Sequence, residues 1–536
     1  MNFRRIALFV VLAALVAPLF ITAIPPLLDY PNHLARMAIL VQAGRDADLS
    51  AMYAIDWHIV PNLGMDMVVP VLAKIFPLDV AGRIFIALAL ILPVLGTVAL
   101  HRAVFRKPSL WPLASALFVY NATLLAGFLN FMVGAGLALL GAACWVRLKD
   151  KPVWQIAATA IIAVPVFFTH LFGVGFMFLV IGSFELNQAW QHRDKPAKIF
   201  AQGVKLGLCL LPIIALYFNT RFADDGTTSP FAVFKTMWWA LYNFNPMWKL
   251  TGLAAGFLTY DTQTDLTIMA GFIAIIATLA LTRKFGGAFW LVALTAALFV
   301  LYPFVPNVMT GTGWIDFRLP VLAGFLFFAG TFPRRLSRRG HAIVGLVFVL
   351  LMGARLGVIA SAWQEQNSDL SDLHAVLEPI KTHDRVLVVV AAKAEPAAPE
   401  PKHWQFFAIQ PSIWHIAAPT LVERRAFFPQ LFATGAKQLL RVQPPYDKIA
   451  DDTVGPPYER VLWGRDHWAP TDRKIGYIQN WQHDFDYVLV LAESRMTTPA
   501  QDYHPEALEF VATSKFAALY RVEEREAEQR NVTAQR

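Results

Sequence analysis

The sequence predicts an α-helical polytopic membrane protein of about 11 transmembrane helices, N-terminus inside and C-terminus outside, with a C-terminal soluble α/β domain. Three observations predict it. The 536 residues are 56% hydrophobic and only 16% charged, with a mean hydropathy of +0.47. Apolar runs of about 20 residues, enough to cross a ~30 Å hydrocarbon core, recur as far as about residue 361. Basic residues cluster in alternate loops between these runs, as they do on the cytoplasmic side of membrane proteins.

In chain order, the first span covers 6–24 and follows Arg4 and Arg5. Ala23 stands where a signal peptide would be cut, but the run is long and lacks an A-x-A-like site, which favours a retained span. Further spans are expected at 79–100, 111–126, 128–146, 153–169, 172–190, 199–218, 265–282, 288–304, 317–332 and 342–362. With this count, Arg102/Arg106/Lys107, Arg147/Lys149/Lys151, Arg193/Lys195/Lys198, Arg283/Lys284 and Arg334/Arg335/Arg338/Arg339 all fall on the side of Arg4 and Arg5. An error of one span would flip every later cluster.

The opposite side receives the loops 25–78, 219–264 and 305–316, and everything after about 363. Residues 65–76 are apolar but too short to span, which suits an interfacial helix. The run FAVFKTMWWALYNFNPMWKL (231–250) mixes aromatics with two lysines. It reads equally as a helix in the headgroup region or as an aromatic belt. A membrane domain therefore occupies 1–363 and an outer-face domain 364–523, with a polar tail at 524–536. In the outer domain, 385–392, 485–492 and 516–523 read as buried strands, and 369–381 and 428–442 as helices.

The net charge of +8 lies in the orienting loops and is no nucleic-acid footprint. Cys144 and Cys209 both fall in spans, so no disulfide is expected. No Gly-rich phosphate loop opens a helix, and no G-x-S-x-G, H-E-x-x-H or C-x-x-C occurs in a supporting context. Nucleotide-binding, hydrolase and redox readings thus lack residues.

Chemistry-bearing residues gather at outer span ends: Asp29, His33, Arg36, Asp56, His58, His170, Arg221, Asp316 and Arg318. The densest stretch is PPLLDYPNHLAR at 25–36, directly after the first span. Asp29 and His33, four apart, share a face if the segment is helical. Asp29 reads either as a helix N-cap or as a general base accepting a proton from a hydroxyl. Asp56 and His58, with Asp29 and His33, offer oxygen and nitrogen ligands to Mg²⁺ or Mn²⁺, without a recognised ligand spacing. His170, in FFTHLFG, reads as a helix cap or a site residue. Arg318, in GWIDFRLP, either pairs locally with Asp316 or binds an anionic phosphate, a role also open to Arg36 and Arg221. Five tryptophans in 404–481 suit either sugar stacking or a folded core.

PPLLDYPNHLAR, with THLFG (169–173) and IDFRLP (315–320), resembles the polyprenyl-phosphate-dependent membrane glycosyltransferases of the GT-C class, as does the many-span, C-out architecture. The resemblance implies a cell-envelope enzyme in a bacterial inner membrane, its C-terminal domain periplasmic. It would move a sugar from a polyprenyl-phosphate donor to a glycan, lipid or protein acceptor on the outer face. Asp29 then corresponds to the catalytic acidic residue of the first outer loop, with His33 beside it. Arg318, Arg36 and Arg221 are left to bind the donor phosphate. The adjacent acidic pair of some members is missing here. Two other classes compete: a lipid or oligosaccharide transporter, against which stand the lack of a paired repeat and of mid-span ionisable residues, and a non-catalytic outer-face sensor or assembly protein.

Overall fold

The computed structural model describes residues 3–42, 44–193, 195–220, 245–309, 312–391, 402–406, 410–433, 438–464, 466, 468–470, 472–491 and 507–523. The chain divides into two compact units, each discontinuous in sequence. One comprises 1–20, 58–68 and 83–361, the other 21–57, 69–82 and 362–536.

The first unit is helical. Among the described residues, eight helices are long and apolar enough to cross a membrane: Phe3–Phe20, Leu78–Phe105, Leu129–Arg147, Pro152–Thr169, Leu171–Gln191, Pro196–Phe218, Thr262–Leu281 and Arg338–Val376. Phe289–Phe304 and Arg318–Gly330 are apolar but shorter. The expected span at 111–126 is not one helix. A 3-10 run, Trp111–Phe118, stops where the Asn121 side chain caps the short helix Ala122–Leu125 by accepting from the N–H groups of Thr123 and Leu124. Asn121 also donates to the carbonyls of Phe118 and Val119, holding the break.

Leu129–Arg147 is the most enclosed span and packs on the two helices that follow it. Small residues bring it close to its neighbours: a Cβ on Gly141 would overlap Met177 Sδ, in the second of these helices, and one on Gly136 would meet the backbone of Leu92, in the preceding helix Leu78–Phe105, at 2.5 Å. The last span holds an ionisable residue, although the sequence pattern predicts none inside a span. Arg355 is buried against Asp265 at 3.0 Å, and Thr259 also donates to that carboxylate. The pair ties Thr262–Leu281 to Arg338–Val376 and is fully enclosed.

The second unit is built on a four-stranded mixed sheet in the order Val386–Val390, Tyr487–Leu491, Ala517–Val522, Leu508–Thr513. The first pair is parallel and the other two antiparallel. VLVVV and YVLVL are buried throughout, as their uninterrupted apolar runs require. Three strands coincide with those expected. The fourth, Leu508–Thr513, escapes the sequence pattern because LEFVAT buries only its first residue. Among the described residues of the helix expected at 428–442, that is 428–433 and 438–442, none is helical. Leu440–Val442, whose residues alternate buried and exposed, pairs antiparallel with Tyr53–Ile55. The expected helix at 369–381 begins inside the last span's own helix, which runs on to Val376. Helix Tyr30–Gln42 packs on Ala418–Glu423, placing the first loop beside the C-terminal chain within this unit. The tail 524–536 lies outside the described residues.

Candidate functional site

Asp29 immediately precedes helix Tyr30–Gln42. Its backbone carbonyl accepts from the His33 N–H at 3.0 Å, so the main chain starts the helix. Among the described residues no N–H bonds to its carboxylate, and the capping role considered for that side chain is not the one it has here. The carboxylate keeps 22% exposure, and the nearest imidazole nitrogen is His415 Nε2 at 3.9 Å. Desolvation outweighs the attraction of Arg36 and raises its pKa from 3.8 to about 7.

His415 is fixed by Asn32. The fully buried Asn32 amide accepts from the Phe432 N–H at 2.8 Å, which orients its NH₂ group. That group donates to the Gln430 carbonyl at 2.7 Å and faces His415 Nδ1 at 3.1 Å. Nδ1 is therefore the acceptor, and the proton of neutral His415 sits on Nε2, toward Asp29. Burial depresses the His415 pKa to about 3, so the ring is uncharged at neutral pH. Phe432 packs on both His415 and His33, with ring centroids 5.2 Å apart in each case. Burial, then Arg36, then His415 hold His33 well below the usual imidazole range. Its buried Nδ1 has no hydrogen-bond partner among the described residues. Arg36, almost fully buried, donates to Gln438 Oε1. The outcome is a partly open carboxylate that titrates near neutrality among uncharged imidazoles, with one buried guanidinium nearby.

A second cluster belongs to the helical unit. His170 is the single extended residue between Pro152–Thr169 and Leu171–Gln191, and its Nδ1 caps the second helix by facing the Phe172 N–H at 3.1 Å. Of the two readings of His170, helix cap or site residue, this contact supplies the cap. Its Nε2 faces Arg318 Nη1 at 3.2 Å. A neutral imidazole carries one N–H, yet both of its nitrogens face donors here. An anion accepting from Nε2–H and Arg318 together would relieve the mismatch. Arg318 opens helix Arg318–Gly330, donates to the Gly313 carbonyl at 3.2 Å, and lies over Phe128, Phe131 and Phe172 at 5.0–5.8 Å.

Arg318 is not in a local ion pair with Asp316. Asp316 is fully buried and satisfied by Lys249 Nζ at 2.7 Å, Trp248 Nε1 at 3.2 Å and the Phe317 N–H at 3.0 Å. Lys249 also donates to the Val305 carbonyl and lies over the Tyr302 ring.

The metal set does not assemble. Asp56 is exposed and His58 only half-buried, and among the described residues no three His, Cys, Asp or Glu side chains come together to hold an ion. Arg221 and most of 231–250 lie outside the described residues. Sequence reasoning missed Asn32, His415, Gln438, Trp248 and Lys249. Asn32 stands inside the densest stretch, whereas nothing local marks His415, 383 residues further on.

No family model and no curated protein matches the chain. It is similar to the crystal structure of ArnT from Cupriavidus metallidurans in the apo state, at 11% identity, covering 96% of this chain and 97% of that one, with a TM-score of 0.46. It is similar also to the same protein bound to undecaprenyl phosphate, at 12% identity and equal coverage, with a TM-score of 0.45. At these values the similarity decides nothing about chemistry, which comes from this chain's own side chains.

Proposed function

We propose that this membrane protein is a glycosyltransferase that moves a sugar from a polyprenyl-phosphate donor to a hydroxyl acceptor on the outer face of a bacterial inner membrane. The observation that carries the proposal is Asp29: a carboxylate directly after the first span, without a hydrogen bond among the described residues and with a pKa of about 7. A carboxylate so held is a competent general base near neutral pH.

The acceptor oxygen attacks the anomeric carbon as the bond from that carbon to the phosphate oxygen breaks, with inversion. The hydroxyl proton passes to Asp29, and the bond's electrons leave on the lipid phosphate. His415 Nε2–H faces the Asp29 carboxylate and, being neutral, does not pin it in an ion pair. His33 completes the polar wall. Negative charge growing on the phosphate calls for pre-set donors. Arg318 Nη1 and His170 Nε2 supply two donors that face each other, and Arg36 supplies the cation in the unit of Asp29. The two clusters lie in separate units and are tested separately.

The test is sugar transfer in membranes holding wild type or Asp29→Asn at equal expression, supplied with radiolabelled polyprenyl-phosphate sugars. Undecaprenyl phosphate, the ligand bound in one of the similar structures, is the carrier to begin with. Transfer by wild type and its loss in the variant is the expected result. Equal transfer by both removes Asp29 from catalysis, and no transfer by either across a broad donor panel overturns the enzyme reading.

A further inference from the structure

A groove in the helical unit, lined by none of Asp29, His33, Arg36, His170, Arg318 and His415, has the shape and charge of a lipid site. Its volume is about 970 Å³. One wall is a face of the N-terminal helix, positions 3, 7, 10 and 14. The other is the stripe 341, 344, 345, 348, 352 and 356 of helix Arg338–Val376, and the 3-10 run Trp111–Phe118 contributes to the floor. These positions recur every three or four residues, so each wall is one continuous helix face. The N-terminal helix buries only Leu15, and among the described residues no element fills the space between the walls.

The groove is polarised. Arg4 lies in the first turn of its helix, Lys107 just past the end of Leu78–Phe105, and His341 in the first turn of Arg338–Val376. The deep end, at Ala14, Met352 and Leu356, is apolar, and among the described residues no carboxylate lines any part of the wall. From His341 to Leu356 the helix rises about 22 Å, the depth of about one leaflet with its headgroups.

We infer that this groove binds one anionic phospholipid from the leaflet facing the basic loops. Its phosphate sits among Arg4, Lys107 and His341, and an acyl chain lies between the two helices. Arg4 and Lys107 select the headgroup: a net negative head gains from both of them, whereas a zwitterionic head also brings an ammonium into the same basic mouth. The chain's place is kept open by small residues. Gly345 and Gly353 line the groove, and a Cβ on either meets nothing within 4 Å. The site is independent of Asp29 and of the proposed reaction.

Native mass spectrometry of the full-length protein, given phosphatidylglycerol or phosphatidylcholine at matched concentration, tests the inference. Wild type is expected to retain one phosphatidylglycerol per chain under conditions that strip phosphatidylcholine. The double variant Arg4→Gln/Lys107→Gln should weaken that retention about tenfold or more. Gly345→Phe, which has room for its ring, should abolish it while the protein stays monodisperse. Equal retention of both lipids by wild type overturns the inference, as does undiminished phosphatidylglycerol binding in Gly345→Phe.

Discussion

Asp29 and Asp316 are both candidates at outer span ends by sequence, and their surroundings differ sharply. Asp316 is sealed, with a lysine, an indole N–H and a backbone N–H taking up its oxygens. Asp29 is partly open, its carboxylate receives no hydrogen bond among the described residues, and it faces an imidazole kept neutral. A carboxylate whose donors are all provided by the fold is a fastener. One left short of donors stores a desolvation cost, visible as its raised pKa, and that cost is what a general base needs. Position in the chain does not separate the two roles; the donors around each carboxylate do.

The largest contrast is expected between conservative amide substitutions at these two positions. Asp29→Asn should cut transfer by a factor of about 10²–10⁴ while the protein folds. Because the pKa of Asp29 in the folded protein lies above its unfolded value, the folded state holds the proton more tightly between about pH 4 and pH 7. Native stability therefore falls as pH rises through that window. Asp29→Asn removes this burden, so at pH 8 it should unfold at higher temperature than wild type. The gain should be the equivalent of a few kcal/mol, since each tenfold change in proton affinity is worth about 1.4 kcal/mol. At pH 4 the two should coincide. Asp316→Asn does the reverse: it strands the largely buried Lys249 and should destabilise by about 3–5 kcal/mol in thermal unfolding.

Arg318→Lys keeps the charge but loses the planar fork that meets the charge growing on the leaving phosphate, and is expected to lower kcat about tenfold. A rise in KM for the lipid donor at unchanged kcat would confine Arg318 to ground-state binding of the phosphate. The smallest effect is expected from Asn32→Asp. A carboxylate facing Nδ1 moves the His415 proton from Nε2 to Nδ1 and turns a lone pair toward Asp29. A several-fold loss of kcat/KM and an upward shift of the acid limb should follow. An unchanged pH profile would leave His415 as packing alone.

Much of this is legible in the sequence for identifiable reasons. Span length and basic loops mark most of the membrane helices, and the runs VLVVV and YVLVL mark the buried strands. The break at 111–126 is hidden because Asn121 acts through hydrogen bonds to backbone groups, which leave no trace in hydropathy. Residues 428–442 look helical by periodicity, but the partner of Leu440–Val442 is a strand nearly 400 residues earlier. In the site, PPLLDYPNHLAR exposes Asp29, His33 and Arg36 by clustering. His415 and Lys249 are assigned by tertiary contact alone, and Asp316 goes to Lys249 although Arg318 stands two residues away. Contiguity is informative about where to look and poor at naming partners.

The central claim is that Asp29 is a base whose setting lifts its pKa to about 7. The most direct measurement is the pH dependence of kcat/KM for sugar transfer by wild type in membranes of fixed composition. The account predicts an acid limb falling tenfold per pH unit below a midpoint near 7, absent from the residual activity of Asp29→Asn. A midpoint near 4, or the same limb in the variant, would contradict it.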